Sequence, residues 1–200
     1  TRELGKMIKN AGIDFVNLPD EDFDDMLGDS TGAAVIFGAT GGVMEAALRT
    51  VADVLTGKDL PDIDYTAVRG LEGVKYATVK INDMDVNVAI AHGTGNAKVL
   101  MDKLAAGELK DMHFIEVMGC PGGCVTGGGQ PFVPAAIKNE VNVSAERAKA
   151  LYGEDAGKGI RKSHKNPSIL KIYEEYFEKP NSHKAHELLH TTYTARKRYL

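Results

Sequence analysis

Hydrophobic positions along the chain switch between helical and strand periods, and the switches set out its elements. Leu4, Ile8 and Ala11 recur at helical spacing behind Thr1, a residue suited to capping a first turn, and Gly12 ends the run. Residues 13–18 are a short apolar stretch that predicts a strand, and the acidic residues 20–29 predict a surface loop. Residues 33–37 (A-A-V-I-F) are continuously apolar, as in a strand buried on both faces. Met44, Ala47, Leu48, Val51 and Leu55 then return at helical spacing, with Gly57 as the stop. Residues 65–69 and 76–81 predict strands. Asn82-Asp83 is turn chemistry, and residues 86–91 come back as a hairpin partner. A helix through Leu100 and Leu104 closes at Gly107, and residues 113–118 predict a last strand.

After Pro131 the pattern changes. Residues 145–152, 167–177 and 182–192 predict three charged helices joined by Gly, Pro and Asn. The expected organisation is therefore an α/β lobe over residues 1–140 and a helical C-terminal extension over residues 141–200 packed on it. The expected fold is a layered α/β sheet, at least partly parallel, with flanking helices and a helical tail. In such sheets ligands bind beyond the C-terminal ends of the strands. Three glycine-rich loops, 38–42, 92–96 and 119–130, follow predicted strands and are expected to converge on one edge.

Composition narrows the function classes. Two hundred residues suffice for a sizeable core, and a net charge of -4 argues against a nucleic-acid partner. No apolar run has the length of a membrane span and no signal peptide is visible, so a cytoplasmic protein without membrane insertion is expected. Two cysteines cannot build a disulfide framework. The opening at Thr1, without an initiator Met, reads as a cut within a longer protein or a processed start.

The candidate chemistry lies in E-V-M-G-C-P-G-G-C-V-T-G-G-G-Q-P, residues 116–131, which holds both cysteines, Cys120 and Cys124. Two thiolates in C-x-x-x-C spacing, on a backbone free to fold closely around them, suit a soft inorganic cofactor. Strand alternation places Glu116 and Met118 on one face, with Cys120 just past the strand end in the same direction. The bland alternative makes Met118 core and lets Glu116 reach solvent.

That motif resembles the third signature of the iron-only ([FeFe]) hydrogenases, E-x-M-x-C-x-x-G-C-x-x-G-G-G-Q-P, at every fixed position. F-G-A-T-G-G-V-M-E-A-A (residues 37–47) resembles a second stretch of the family. I-R-K-S-H-K-N-P (160–167) and A-H-E-L-L-H-T-T-Y (185–193) resemble its C-terminal end. The resemblance implies reversible oxidation of hydrogen to protons and electrons at an H-cluster, a [4Fe–4S] cubane joined through a cysteine sulfur to a diiron unit carrying CO, cyanide and a dithiolate. It implies that Cys120 ligates the cubane and that Cys124 ligates it and supplies the bridging thiolate. Met118 is implied beside the diiron unit, and Phe37 and Gly38 in the loop walling its pocket. The family's T-S-C-C-P-x-W and M-P-C-x-x-K signatures, which carry the other two cubane ligands, are absent. The chain thus resembles the C-terminal lobe of the H-cluster domain. An N-terminal lobe of the same hydrogenase and a ferredoxin-like electron carrier are the implied partners, with none or an incomplete cofactor in this chain alone.

Other readings compete. A cluster-binding or cluster-assembly protein without hydrogenase activity would use the same thiols. H-E-L-L-H (residues 186–190) matches a zinc-peptidase pattern, with Glu187 as base, though the last ten residues hold no further His, Asp or Glu. G-A-T-G-G (38–42) and G-T-G (93–95) offer backbone donors to an anion. The first lacks the Gly-Lys-Ser/Thr ending of a phosphate loop, and the second has Lys98 where a third Gly belongs. The basic residues near the C-terminus read as a solvated end.

Overall fold

The computed structural model describes residues 1–22, 28 and 30–197. Helix α1 (Arg2–Asn10) forms where the first periodic run predicts it, but none of its residues is buried. Residues 13–18 do not form a strand: Phe15–Asn17 is a single 3-10 turn. Much of the acidic loop expected at 20–29 lies outside the described residues. The apolar run 33–37 is also not a strand. It is the short helix α2 (Gly32–Val35), capped by the Thr31 hydroxyl accepting from Ala34 N, followed by the 3-10 turn Ile36–Gly38. Ala33 and Ile36 are fully buried as the run demands. Continuous hydrophobicity reports burial on all sides, and a buried helical turn satisfies that as well as a strand.

Helix α3 (Gly42–Thr56) starts at Gly41, whose φ is 87°, and stops at the left-handed Gly57. A Cβ on Gly41 would sit 2.0 Å from Val68 O, so only glycine lets the chain turn into this helix. The buried face of α3 is not the expected one. Met44, Leu48 and Ala52 face the core, but so do Glu45, Arg49 and Asp53, while Val51 and Leu55 are 38% and 44% exposed. Residues 65–69, expected as a strand, form only the 3-10 turn Thr66–Val68.

The hairpin is as expected. Strands β1 (Val74–Ile81) and β2 (Met84–His92) pair antiparallel, with Ile81 opposite Met84 across a turn where Asn82 takes φ 53°. Helix α4 (Thr94–Ala105) crosses over to β3 (Phe114–Met118), which lies parallel to β2 with Ala91 beside Val117 and His92 beside Met118. The sheet order β1-β2-β3 makes β2 central, and its C-terminal half is buried on both faces. Val86, Val88 and Ile90 pack with Met44, Leu48 and Ala52 of α3 on one face. Ala89 and Ala91 pack with Leu100 of α4 on the other. Each of the Val, Ile, Leu and Met side chains among them contributes roughly 1.5–3 kcal/mol when fully buried. The result is a partly parallel sheet between helices, the expected α/β class.

Beyond the sheet, α5 (Ala135–Glu140) was not legible in the sequence pattern. Helix α6 (Val143–Gly157) is capped by Asn142, and α7 (Pro167–Ile172) begins on Pro at its first turn and runs into a π turn at Tyr173–Phe177. Helix α8 (His183–Leu189) is capped by Ser182.

Residues 141–165 are fastened to α3 by charge. Arg49 is fully buried and donates to both carboxylate oxygens of Asp155, at 2.7 and 2.8 Å, and to Glu45 at 2.8 Å. Arg161 and Arg69 supply second cations to Asp155 and Glu45. Next to this, Lys162 donates to both oxygens of Asp53 at 2.8 Å and to Asp59 at 2.6 Å.

Candidate functional site: the cysteine loop and its cradle

The three glycine-rich loops do converge, although the first follows a helical turn rather than a strand. Gly93 N donates to Met118 O at 2.8 Å, joining the end of β2 to the end of β3. Thr40 N donates to Gly122 O at 3.0 Å, joining the 38–42 loop to the cysteine loop. Gly122 N in turn donates to His92 Nδ1 at 3.0 Å, joining the cysteine loop to the end of β2.

Both cysteines are exposed and unpaired. Cys120 lies in the turn after β3, and Cys124 opens the 3-10 turn Cys124–Thr126. Between them Gly122 and Gly123 are buried. A Cβ on Gly123, whose φ is 97°, would meet Gly38 O and Thr40 N at 2.8 Å. Here glycine is required twice over, by backbone angle and by close approach of the two loops. The peptide is pressed inward while the thiols on either side of it face out. Downstream, Gly127 N and the Gln130 side chain both donate to Cys124 O, at 2.9 and 3.4 Å. Arg147 of α6 donates to Val125 O at 2.8 Å and Pro131 O at 3.0 Å.

Glu116 is neither solvent-reaching nor available to a ligand. It is buried, and its two oxygens accept from Gly41 N at 2.6 Å and Met44 N at 2.7 Å. A carboxylate on the first amides of α3 satisfies orphan donors and meets the positive end of the helix dipole. Met118 is half-buried, Gly38 is half-buried against Leu151 of α6, and Phe37 is 46% exposed. Lys75, on the inward face of β1, donates to Val68 O at 2.9 Å and Gly70 O at 2.7 Å. Burial pushes its ammonium down, with Glu116 and Glu72 opposing. Behind the 38–42 loop lies a cavity of about 210 Å³ lined by Thr40, Arg69, Leu71 and Tyr152. The Thr40 and Tyr152 hydroxyls are buried there without a protein partner.

The sequence reading missed His92, Lys75 and the true task of Glu116. His92 and Glu116 act on backbone atoms distant in the chain, and Lys75 on the carbonyls of Val68 and Gly70 in the irregular segment before β1; no strand or helix period announces such contacts. His92 opens the glycine-rich loop 92–96, whose sequence announces only backbone donors.

An iron–sulfur cubane takes four thiolates as a rule. Two unpaired thiols flank one loop, and Gly119 and Gly128 look onto open space. That fits half of a four-thiolate set. Among the described residues no group of three or more His, Cys, Asp or Glu is placed to hold a metal. The His186 and His190 rings lie 4.2 Å apart on an exposed helix, with no third ligand among those residues.

Exposed thiols on a glycine loop at the C-terminal edge of a partly parallel sheet are the kind of donor a soft metal takes, on an α/β scaffold. The chain belongs to the iron-only hydrogenase family: residues 1–128 match the family described as iron only hydrogenase large subunit, C-terminal domain. Residues 141–196 match the iron hydrogenase small subunit. It is 52% identical over 198 residues to the NADP-reducing hydrogenase subunit HndD of Solidesulfovibrio fructosivorans, covering 99% of this chain and 33% of that protein. It is 49% identical over 193 residues to iron hydrogenase 1 of Clostridium pasteurianum, covering 96% and 33%. It is 54% identical over 138 residues to the periplasmic [Fe] hydrogenase large subunit of Nitratidesulfovibrio vulgaris, covering 69% and 32%. The chain thus spans about a third of the length of these relatives. A solved apo [FeFe]-hydrogenase from Chlamydomonas reinhardtii superposes with a TM-score of 0.72 at 39% identity, over 96% of this chain and 53% of that one. Another solved [FeFe]-hydrogenase, reported for stepwise H-cluster assembly, gives 0.70 at 39% identity, over 96% and 54%. At 27% identity over 198 residues, covering 98% of this chain and 40% of the relative, stands cytosolic iron-sulfur assembly component 3 of Bos taurus. No described helix is long and apolar enough to cross a membrane.

Proposed function

We propose that this chain forms the cysteine-loop side of an H-cluster site and takes part in the reversible oxidation of hydrogen to protons and electrons. The observation that carries the reading is the loop itself: Cys120 and Cys124 face outward on either side of a buried Gly-Gly pair that is tied to two other loops. In this reading Cys120 and Cys124 would supply thiolates to the cubane, and Cys124 would also serve the diiron unit. Met118, Phe37 and Gly38 line the pocket. When bound, the cluster supplies the exchange of electrons with protons and hydrogen. The chain's own residues fix two thiolates, restrict access and hold the loop backbone rigid.

The remaining cubane ligands come, in this proposal, from the further length that the relatives possess. Leu4, Met7, Phe15, Val16 and Phe132 are exposed, which supports packing against such a lobe. Residues 1–140 act as the cluster lobe and residues 141–200 as a brace behind it. A ferredoxin-like carrier delivers electrons, in a cytoplasmic setting. A second reading is a cluster-binding protein without hydrogenase activity, favoured by the likeness to cytosolic iron-sulfur assembly component 3.

The complete protein, reconstituted anaerobically with iron and sulfide and then with the diiron unit, tests this. Iron–sulfur absorbance together with hydrogen evolution from a chemical reductant is expected. Absorbance without hydrogen evolution selects the second reading, and neither signal rejects both.

A further inference from the structure

We propose that His92 is a positioning residue for the cysteine loop: its Nδ1 holds the Gly122 amide and so sets how the two thiols are presented. The inference rests on the assignment of Cys120 and Cys124 as cluster ligands.

The geometry is specific. His92 is the last residue of β2 and is buried. Its Nε2 lies 3.1 Å from Leu71 O, a carbonyl that can only accept, so Nε2 carries the proton. Nδ1 is thereby left as an acceptor, and Gly122 N donates to it at 3.0 Å. The other side of the same residue is held as well, because Gly122 O accepts from Thr40 N at 3.0 Å. Gly122 is buried while Cys120 and Cys124 are exposed, so the residue between the thiols is fixed at both its N–H and its C=O. Thr40 itself belongs to the loop that Glu116 anchors through Gly41 N and Met44 N. The outcome is a closed circuit of three loops in which His92 contributes a side-chain acceptor. Gly122 has φ 81°, a backbone state that glycine leaves readily when unpinned. Outer partners of this kind orient the ligands themselves and tune the bound metal.

Two substitutions separate the roles of the two ring nitrogens. In His92→Asn the amide oxygen takes the place of Nδ1 and can accept from Gly122 N, while contact with Leu71 O is lost. In His92→Gln the terminal amide can still donate to Leu71 O, but nothing accepts from Gly122 N. Both are made in the complete protein and compared with the unaltered form by hydrogen exchange at Gly122, iron per chain, and the electron paramagnetic resonance signal of the reduced cubane. Exchange at Gly122 is expected to accelerate about tenfold in His92→Gln and to return near the unaltered rate in His92→Asn. Iron retention and signal shape should follow the same order. Equal behaviour of the two variants, whether both normal or both impaired, overturns the proposal, because packing alone would then account for His92. If the unaltered protein binds no cluster, the cluster reading fails by itself. The exchange rates alone then decide the tie, with the same order supporting it and equal rates overturning it.

Discussion

Arg49→Met should destabilise the protein by about 3 kcal/mol, and the structure shows where that number comes from. The guanidinium of Arg49 is fully buried and makes five hydrogen bonds: two to Asp155, one to Glu45, and one each to the carbonyls of Ile63 and Arg161. Met retains much of the volume, so cavity formation is a small part of the cost. What remains is a pair of buried carboxylates missing their shared cation, for which losses of about 3–5 kcal/mol are typical. The low end applies here because each carboxylate keeps a second cation. Asp155 still accepts from Arg161 at 2.6 Å, and Glu45 from Arg69 at 2.7 Å. The loss should be read in residues 141–165, because Asp155 and the Arg161 carbonyl are the groups released. Urea unfolding of the complete protein, followed by circular dichroism, gives the free energy; hydrogen exchange across α6 gives the location. Lys98→Ala is the matched control, since its pair with Asp102 is exposed on both sides and should change stability by no more than about 0.5 kcal/mol. A cost below about 1 kcal/mol for Arg49→Met, or unchanged protection in α6, would refute the argument that buried charge fastens this segment.

Three further outcomes follow from the same geometry. Burial pushes the Asp53 carboxyl up, but hydrogen bonds from Lys162, the Leu60 amide and His164 outweigh it and hold it at about 2. A folded-state value below the ordinary one means its stabilisation is complete above about pH 4 and is lost as pH falls toward 2. Melting temperatures of the wild type should therefore drop through that window more steeply than those of Asp53→Asn. Gly123→Ala should cost about 1–3 kcal/mol by urea unfolding, since a Cβ at φ 97° would press on Gly38 O and Thr40 N. Under the proposed function, Cys124→Ser in the complete protein should abolish hydrogen evolution, because a serine oxygen is hard and remains protonated near neutral pH, while Lys98→Ala leaves the rate near normal. A selective loss in Lys98→Ala would instead point to a bound phosphate.

The sheet was legible because its evidence is local. The Asn82-Asp83 turn, the flanking alternation and Gly107 behind α4 carry their own geometry in a few residues. Residues 33–37 were misread because an unbroken apolar run specifies burial, not the period of the backbone inside it. Residues 13–18 and 65–69 are too short for alternation to separate a strand from a 3-10 turn. The face of α3 was misjudged for a different reason. Val51 and Leu55 look like core, whereas Arg49 and Asp53 look like surface until Asp155 and Lys162, more than a hundred positions away, neutralise them. The cysteine motif was legible as chemistry, since thiolate spacing and glycine content are local. Its cradle was not, because His92, Glu116 and Thr40 act through backbone atoms of other loops.

Whether the 119–130 loop holds iron is the most direct test of the proposed function. The complete protein and its Cys120→Ala and Cys124→Ala variants should be reconstituted side by side and assayed for iron and acid-labile sulfide per chain. The expected result is that each substitution removes most of the iron belonging to this site while circular dichroism shows the sheet intact. Iron and sulfide contents equal to wild type in both variants would contradict the central claim.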